Sequence, residues 1–287
     1  MLFPPRHCEG GARPPEAIPV TWLEIASPYR ARNDEMTIMT KRLTHILLST
    51  FTFLLGWYLL TRYSGVPNFI LPSPFSVWAR FVKAIQDGSL LYHTWITFSE
   101  IMLGLFFGVL FATIMGYILA KSRSLEKVLS PYLVASQAIP VVAIAPLLVI
   151  WLGNRILSKV VICALIVFFP VLVNTIVGVR AVPTPLYDLM NSLHASRAQI
   201  LQKVEVPASL PVFLGGLRIG ATLSVIGAIV GELVSAQQGL GYLLQLGNFQ
   251  YDTPMVFVAV FTLVALALTL YGFVTLLEKR FLKWQEK

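Results

Sequence analysis

The residue types that perform catalytic chemistry are few and scattered in this sequence. The two cysteines, Cys8 and Cys163, have no disulfide or metal-ligand spacing. No glycine-rich loop followed by Lys-Ser or Lys-Thr is present to hold a nucleotide phosphate, so the chain is not itself an ATPase. The four histidines are dispersed and have no partnered nucleophile: His7, His45, His93 and His194. We therefore predict a protein that is not an enzyme, with no catalytic residues, no metal site and no cofactor.

Three charged residues lie inside long apolar runs, where an unpaired charge is costly enough to suggest a function. Arg218 and Glu100 lie near the N-terminal ends of their runs, so either side chain can extend to the membrane interface. Glu232 follows four apolar turns. Two interpretations of Glu232 stay open: it caps a gate or pairs across a dimer, or it has a buried structural partner.

Prolines and small residues mark other positions in the apolar runs. Pro140, Pro146 and Pro170 free backbone carbonyls and bend a membrane helix, either as static kinks or as hinges that line a pathway. Small residues recur every four positions in two runs, which lets helix backbones approach closely. These residues are Gly104, Gly108, Ala112 and Gly116, and then Gly216, Gly220, Ser224 and Ala228.

The segment of residues 183–207, which we call the elbow, is amphipathic. Helical spacing places four apolar residues on one face: Leu186, Leu189, Met190 and Leu193. Pro183 and Pro185 can begin this helix, because its first amides need no acceptor. Ser196 and Gln199 have capping-box spacing for a second short helix. The pattern predicts a helix–turn–helix at the membrane surface; an interfacial helix under a bundle is the alternative.

Composition indicates the elements that position these residues. Hydrophobic residues make up 56% of the chain and charged residues 13%, about half the charged fraction of soluble domains. The net charge of +8 comes from short basic clusters between apolar runs, which is typical of membrane topology and argues against a nucleic-acid partner. A protein embedded in a lipid bilayer follows.

Six apolar segments predict an all-α fold with six transmembrane helices. They cover about residues 45–60, 94–120, 129–152, 156–179, 212–235 and 254–277, with a short amphipathic helix at 76–85. Residues 1–35 are proline-rich and lack helical periodicity, which predicts a disordered or misannotated extension before a permease domain at 36–287. Counted from Met36, twelve Lys and Arg residues against five place both termini in the cytoplasm.

The elbow resembles the cytoplasmic EAA loop of binding-protein-dependent ABC importer permeases. That signature is Glu-Ala-Ala, three residues, Gly, nine residues and Ile-x-Leu-Pro. The matching positions here are Asp188, Leu189 and Met190, then His194, then Val204, Glu205, Val206 and Pro207. His194 replaces a glycine that often makes a tight turn; either the turn does not require positive φ or His194 tolerates it. The segments 136–146, 217–220, 230–233 and 239–242 resemble the group that imports sulfonates, taurine, nitrate, pyrimidine precursors and riboflavin.

The resemblance implies a type I importer permease in a bacterial inner membrane, acting as a homodimer. Its partners would be cytoplasmic ATP-binding subunits and an external substrate-binding protein. The elbow would couple ATP hydrolysis to transport through Leu186, Asp188, Leu189, Met190, Leu193, His194, Arg197, Val204, Glu205 and Pro207. The apolar residues would anchor the ATPase, and Asp188, His194, Arg197 and Glu205 would form a polar rim. Pro140, Pro146, Pro170 and Glu232 are candidates for the pathway or gate.

The sequence predicts a preferred class of substrate and leaves alternatives open. Riboflavin or a thiamin-pyrimidine precursor is preferred, because residues 188–193 and Glu100 resemble those members, whereas the family often has Arg near the Glu100 position. Nitrate, taurine and alkanesulfonates stay open as alternatives. A secondary transporter would need charged residues near the midplane, paired broken helices or an internal repeat, and would leave the elbow unexplained.

Overall fold

The computed structural model describes residues 28–63, 65–235 and 237–283. These residues are helical with short connections, and no strand occurs among them. The first six helices are α1 (Pro28–Tyr63), α2 (Pro74–Gln86), α3 (Ser89–Lys121), α4 (Arg123–Gln137), α5 (Val141–Leu152) and α6 (Ile156–Arg180). They are followed by α7 (Thr184–Ser192), α8 (Arg197–Ile200), a π-helical segment (Leu201–Glu205), α9 (Val206–Ser235), α10 (Leu240–Phe249) and α11 (Thr253–Phe281). The all-α prediction is confirmed.

The chain divides into two units, Met1–Leu60 and Thr61–Lys287. Helix α1 includes residues 28–35, which we expected to lack regular structure; a proline is compatible with the first helical position, so Pro28 does not prevent a helix there. The rest of the expected extension, residues 1–27, lies outside the described residues. The second unit contains α2 to α11 and every site discussed below.

Four helical stretches in the described residues are long and apolar enough to cross a membrane. They are Ser89–Lys121, Ile156–Arg180, Arg197–Ser235 and Thr253–Phe281. Each matches a predicted span. The first predicted span, 45–60, lies within α1 and does not belong to this set.

The third predicted span, 129–152, is not one straight helix. It consists of α4 and α5, which meet at 93°, so the described residues contain four spans, or five if this bent pair crosses as one. The break lies at Pro140, which is the N-cap of α5 rather than a kink inside a helix. Proline lacks an N–H and disfavours the helical conformation of the residue before it, so the helix ends there and another begins. Pro146 and Pro170 do lie inside helices, α5 and α6.

The core of the second unit forms where α6 packs against α3 on one side and α9 on the other. The predicted small-residue stripes make this packing possible. A Cβ added at Gly104 of α3 would lie 2.2 Å from the Cβ of Cys163, and one at Gly216 of α9 would lie 2.5 Å from that of Asn174. Real Cβ atoms essentially never approach other atoms so closely. Glycine at these two positions therefore lets the backbones of α3 and α9 pack directly against α6.

Candidate functional site

The elbow begins as predicted, with Pro183 as the N-cap of α7 and Pro185 in its first turn. The capping box of α8 is also present. The Ser196 hydroxyl accepts a hydrogen bond from the Gln199 amide (3.3 Å), and the Gln199 side-chain oxygen accepts one from the Ser196 amide (2.8 Å). These bonds satisfy helix-end amides that would otherwise lack partners. Local sequence signals therefore fix where both elbow helices start.

The apolar face of α7 is exposed. Leu186, Leu189 and Leu193 are 38%, 56% and 68% accessible, and Met190 is half-buried. None of the residues in α7 is buried. Leucines are normally covered in a folded protein, and a cluster of uncovered ones indicates a contact surface.

His194 occupies the turn between the two elbow helices with a φ of +53°. The turn is closed by a bond from the His194 amide to the Asn191 carbonyl (2.9 Å) and one from the Ala195 amide to the Met190 carbonyl (3.0 Å). The question left open by the sequence is therefore answered: the turn does require the left-handed region. A residue with a Cβ loses about 1 kcal/mol or more there relative to glycine, and His194 adopts it nonetheless.

The polar residues of the elbow fall into two groups. Asp188, His194 and Arg197 are exposed around the leucine face, as expected of a rim. Glu205 is only 3% exposed, and the prediction that it belongs to the rim is wrong. Val204 beside it is buried and Pro207 is half-buried in the first turn of α9. Glu205 is the last residue of the π-helical segment and continues directly into α9, so it lies on the helix that packs into the bundle.

Glu205 contacts the C-terminal end of α3. Its carboxylate accepts a hydrogen bond from the Tyr117 hydroxyl (3.0 Å) and forms an ion pair with the Lys121 ammonium group. The same ammonium group lies 5.1 Å from the ring centroid of Tyr187 in α7. Burial, and then the Glu205 charge, raise the pKa of the Tyr187 phenol above its ordinary value, so it remains protonated at neutral pH. Sequence reasoning used Lys121 only as a topology marker and missed this cluster.

A second polar cluster lies at the other end of the bundle, around Glu232. This carboxylate is fully buried and accepts hydrogen bonds from the Thr97 hydroxyl (2.6 Å) and the Gly241 amide. The Thr97 oxygen in turn accepts a bond from the Leu240 amide (2.8 Å). A carboxylate at a helix N-terminus is stabilised by the unpaired amides and the helix dipole. Of the two interpretations of Glu232, the geometry supports a buried structural partner, namely the start of α10.

Gly239 makes that contact possible. Its φ is +106°, and a Cβ at this position would lie 2.1 Å from a carboxylate oxygen of Glu232. Any other residue would push the loop away from the carboxylate, so the glycine is required for both its backbone conformation and its lack of a side chain.

The other two charges inside spans also have partners within the chain. Glu100 was expected to reach the interface, but it is 4% exposed and faces Glu232 and Lys159. Helix α3 begins at Ser89, so Glu100 lies about three turns inside it, where it lines a polar cavity and does not extend to the interface. Arg218 forms an ion pair with Glu278 of α11 and lies over the ring of Tyr271.

The family model for the inner membrane component of binding-protein-dependent transport systems matches residues 104–283. The chain belongs to this family. The riboflavin transport system permease protein RibX of Chloroflexus aurantiacus is 45% identical over 232 residues, 81% of this chain and 87% of RibX. The formylaminopyrimidine transport permease protein ThiX of Halalkalibacterium halodurans is 35% identical over 231 residues, 80% of this chain and 92% of ThiX. The protein is therefore a membrane-spanning ABC importer permease of the inner membrane.

A solved structure supports the fold independently. An inward-facing structure of the MetNI methionine ABC transporter matches with a TM-score of 0.57 at 22% identity, over 65% of this chain and 93% of the matched chain. At this identity the likeness concerns the fold of the permease alone.

Proposed function

We propose that this permease imports a small heterocyclic solute, riboflavin or a pyrimidine precursor of thiamin. An external binding protein delivers the solute, and cytoplasmic ATP-binding subunits drive the import by docking on the elbow. The observation that carries the proposal is the exposed leucine face of α7 between two spans. Leu186, Leu189 and Leu193 are exposed in a segment too polar to enter the hydrocarbon of the bilayer. A protein partner is therefore the surface that would bury them. The exposed Asp188, His194 and Arg197 provide the rim of that surface.

The orientation of the elbow follows from charge. Lys and Arg residues are concentrated at the end of the bundle that carries the elbow, which by the positive-inside rule is the cytoplasmic end. Both termini then lie in the cytoplasm, and the Glu232 cluster lies near the outer face. We propose a homodimer, so that each of two ATP-binding subunits receives one elbow.

In mechanism, closure of the ATP-binding subunits displaces both elbows as rigid levers. This shifts the permease between inward-open and outward-open states, because the docked subunits bind one state better than the other. Pro146 and Pro170 lie inside the helices that would line the pathway, and the break at Pro140 separates α4 from α5 beside them.

The substrate class is supported by two observations. The relatives described above are named for riboflavin and formylaminopyrimidine transport. A cavity of about 420 Å³ also opens at the outer end of the bundle, and its polar lining offers both donors and acceptors. The polar residues that line it are Ser99, Glu100, Asn154, Arg155, Lys159, Gln237 and Gln238. By resemblance, sulfonate-type members often have Arg near the Glu100 position, and permeases named for aliphatic sulfonates and taurine match at a lower identity of 30%.

Uptake into proteoliposomes tests the proposal. The permease would be reconstituted with its ATP-binding subunit and binding protein, with ATP enclosed, and offered labelled riboflavin, formylaminopyrimidine, taurine or nitrate. We expect ATP-dependent uptake of riboflavin or the pyrimidine and neither of the anions. Uptake of taurine or nitrate would contradict the proposed substrate class and support the alternative substrates. Uptake that persists with a hydrolysis-deficient ATP-binding subunit would contradict the importer mechanism.

A further inference from the structure

Two polar clusters connect α3 and α9, one near each end of the pair. At the cytoplasmic end, Glu205 at the base of α9 binds Tyr117 and Lys121 in the last turns of α3. At the outer end, Glu232 of α9 binds Thr97 of α3. We call these the inner clasp and the outer clasp. Both helices are continuous between the clasps over about 35–40 Å at 1.5 Å per residue, although α9 contains Pro211.

The inner clasp is the part of the elbow that reaches into the bundle. Helices α7 and α8 contain no buried residue, whereas Val204 and Glu205 of the π-helical segment are buried. The Lys121 ammonium group also lies against Tyr187, so α7, the π-helical segment and α3 meet at one point. A displacement of the elbow therefore acts on the rest of the permease through these side chains.

The Glu205 side of the inner clasp is buried. Glu205 is 3% exposed and its two carboxylate oxygens have separate partners, whereas the Lys121 side chain is 40% exposed. Loss of Tyr117 or Lys121 would therefore leave a buried carboxylate short of a partner, which is unfavourable. Beside the clasp, a cavity of about 400 Å³ lies between α3, α6 and α9, lined by Thr113, Tyr117, Thr175 and Phe213 among others.

We propose that Glu205 is a positioning residue for coupling: by holding Tyr117 and Lys121 it fixes α3 to the elbow, so that α3 and α9 move together when the ATP-binding subunits close. The outer clasp then carries this movement to the start of α10, because Thr97 and Glu232 hold the Leu240 and Gly241 amides. The physical connection is a contiguous pair of rigid helices joined at both ends. The inference rests on the proposed docking of ATP-binding subunits to the elbow.

The test compares Glu205→Gln with Glu126→Gln. Glu126 forms a two-bond ion pair with Arg180 near the same end of the bundle, and Arg180 also donates to the Leu119 and Ala120 carbonyls of α3, so Glu126→Gln is a control that weakens a different ion pair at the same end of α3. For each variant we would measure co-purification of the ATP-binding subunit, ATP hydrolysis and solute uptake in proteoliposomes. The swapped pair Lys121→Glu with Glu205→Lys restores opposite charges and serves as the rescue.

We expect Glu205→Gln to retain its ATP-binding subunit and to hydrolyse ATP within about twofold of wild type, while uptake per ATP falls about tenfold, a typical size for coupling between sites. Glu126→Gln should keep its uptake per ATP, and the swapped pair should recover at least part of the loss. Unchanged uptake per ATP in Glu205→Gln, or an equal loss in Glu126→Gln, would overturn the proposal.

Two further outcomes remain decisive. If Glu205→Gln fails to insert, Tyr117→Phe decides, because it removes only the hydroxyl that donates to Glu205. Lower uptake per ATP in that variant supports the clasp, and wild-type uptake overturns it. If the wild-type permease does not retain the ATP-binding subunit, the proposed function fails, and that result is visible in co-purification before uptake is measured.

Discussion

The double variant Leu189→Ala with Leu193→Ala should release the ATP-binding subunit while leaving the permease in the membrane. The two side chains are 56% and 68% exposed, so that fraction of each remains to be covered by a partner. Full burial of a leucine stabilises by about 1.5–3 kcal/mol, which scales here to about 2–4 kcal/mol for the pair. Because alanine keeps its Cβ, the lower half of this range is the better expectation. A loss of about 2 kcal/mol corresponds to roughly 30-fold in affinity.

The assay is co-purification of the ATP-binding subunit at matched expression, followed by titration of that subunit onto immobilised permease. Insertion should be normal, because neither leucine packs in the core. Asp188→Ala is the control from the rim of the same surface, where an exposed ion pair contributes at most about 1 kcal/mol. If the leucine pair is dispensable while Asp188→Ala releases the subunit, docking is electrostatic and the roles assigned to the two groups are reversed.

Three other predictions concern single features of the structure. Glu232→Gln should impair uptake more than Glu100→Gln. Glu232 accepts hydrogen bonds from Thr97 and the Gly241 amide, whereas one carboxyl oxygen of Glu100 has no hydrogen-bond partner among the described residues. Equal uptake by both variants would remove any special role for Glu232. His194→Gly should raise the free energy of unfolding by about 1 kcal/mol and keep uptake, because glycine adopts a positive φ without strain. The β-branched His194→Val should lower both stability and uptake. The reverse order in melting temperature would show that the turn is not strained. A chain starting at Met36 should insert and transport normally, because the family match at residues 104–283 and every site described above lie beyond it; loss of membrane insertion would refute this.

Local signals in the sequence were sufficient for most of the elbow. The proline start of α7, the leucine spacing and the Ser196–Gln199 capping box each depend on residues within four positions, and all three agree with the structure. The same holds for the small-residue stripes, since a four-residue period is itself a property of helix packing. Family resemblance was equally direct, because its motifs are short and ordered along the chain.

Features that depend on distant residues or on backbone geometry could not be predicted in this way. Hydropathy is continuous across Pro140, and proline in a membrane helix either bends it or ends it, so the 93° break was not visible. A π-helical turn has no clear sequence signature, and the burial of Glu205 at its end was not predicted. The partner of Glu205 is 84 residues away at Lys121, and the partner of Glu232 is 135 residues away at Thr97. Such pairs become visible only once the helices are packed.

Cysteine cross-linking at Leu193 tests the central claim, that the elbow is the cytoplasmic docking site of the ATP-binding subunits. In a chain starting at Met36, which lacks Cys8, the native thiol that remains is Cys163, and it is fully buried. Leu193→Cys places a reactive thiol on the exposed face, and Phe249→Cys, 75% exposed at the end of α10 near the opposite end of the bundle, is the matched control. We expect a thiol-to-amine cross-linker to join Leu193→Cys, but not Phe249→Cys, to the ATP-binding subunit. Cross-linking through Phe249→Cys and not through Leu193→Cys would contradict both the docking site and the orientation of the chain.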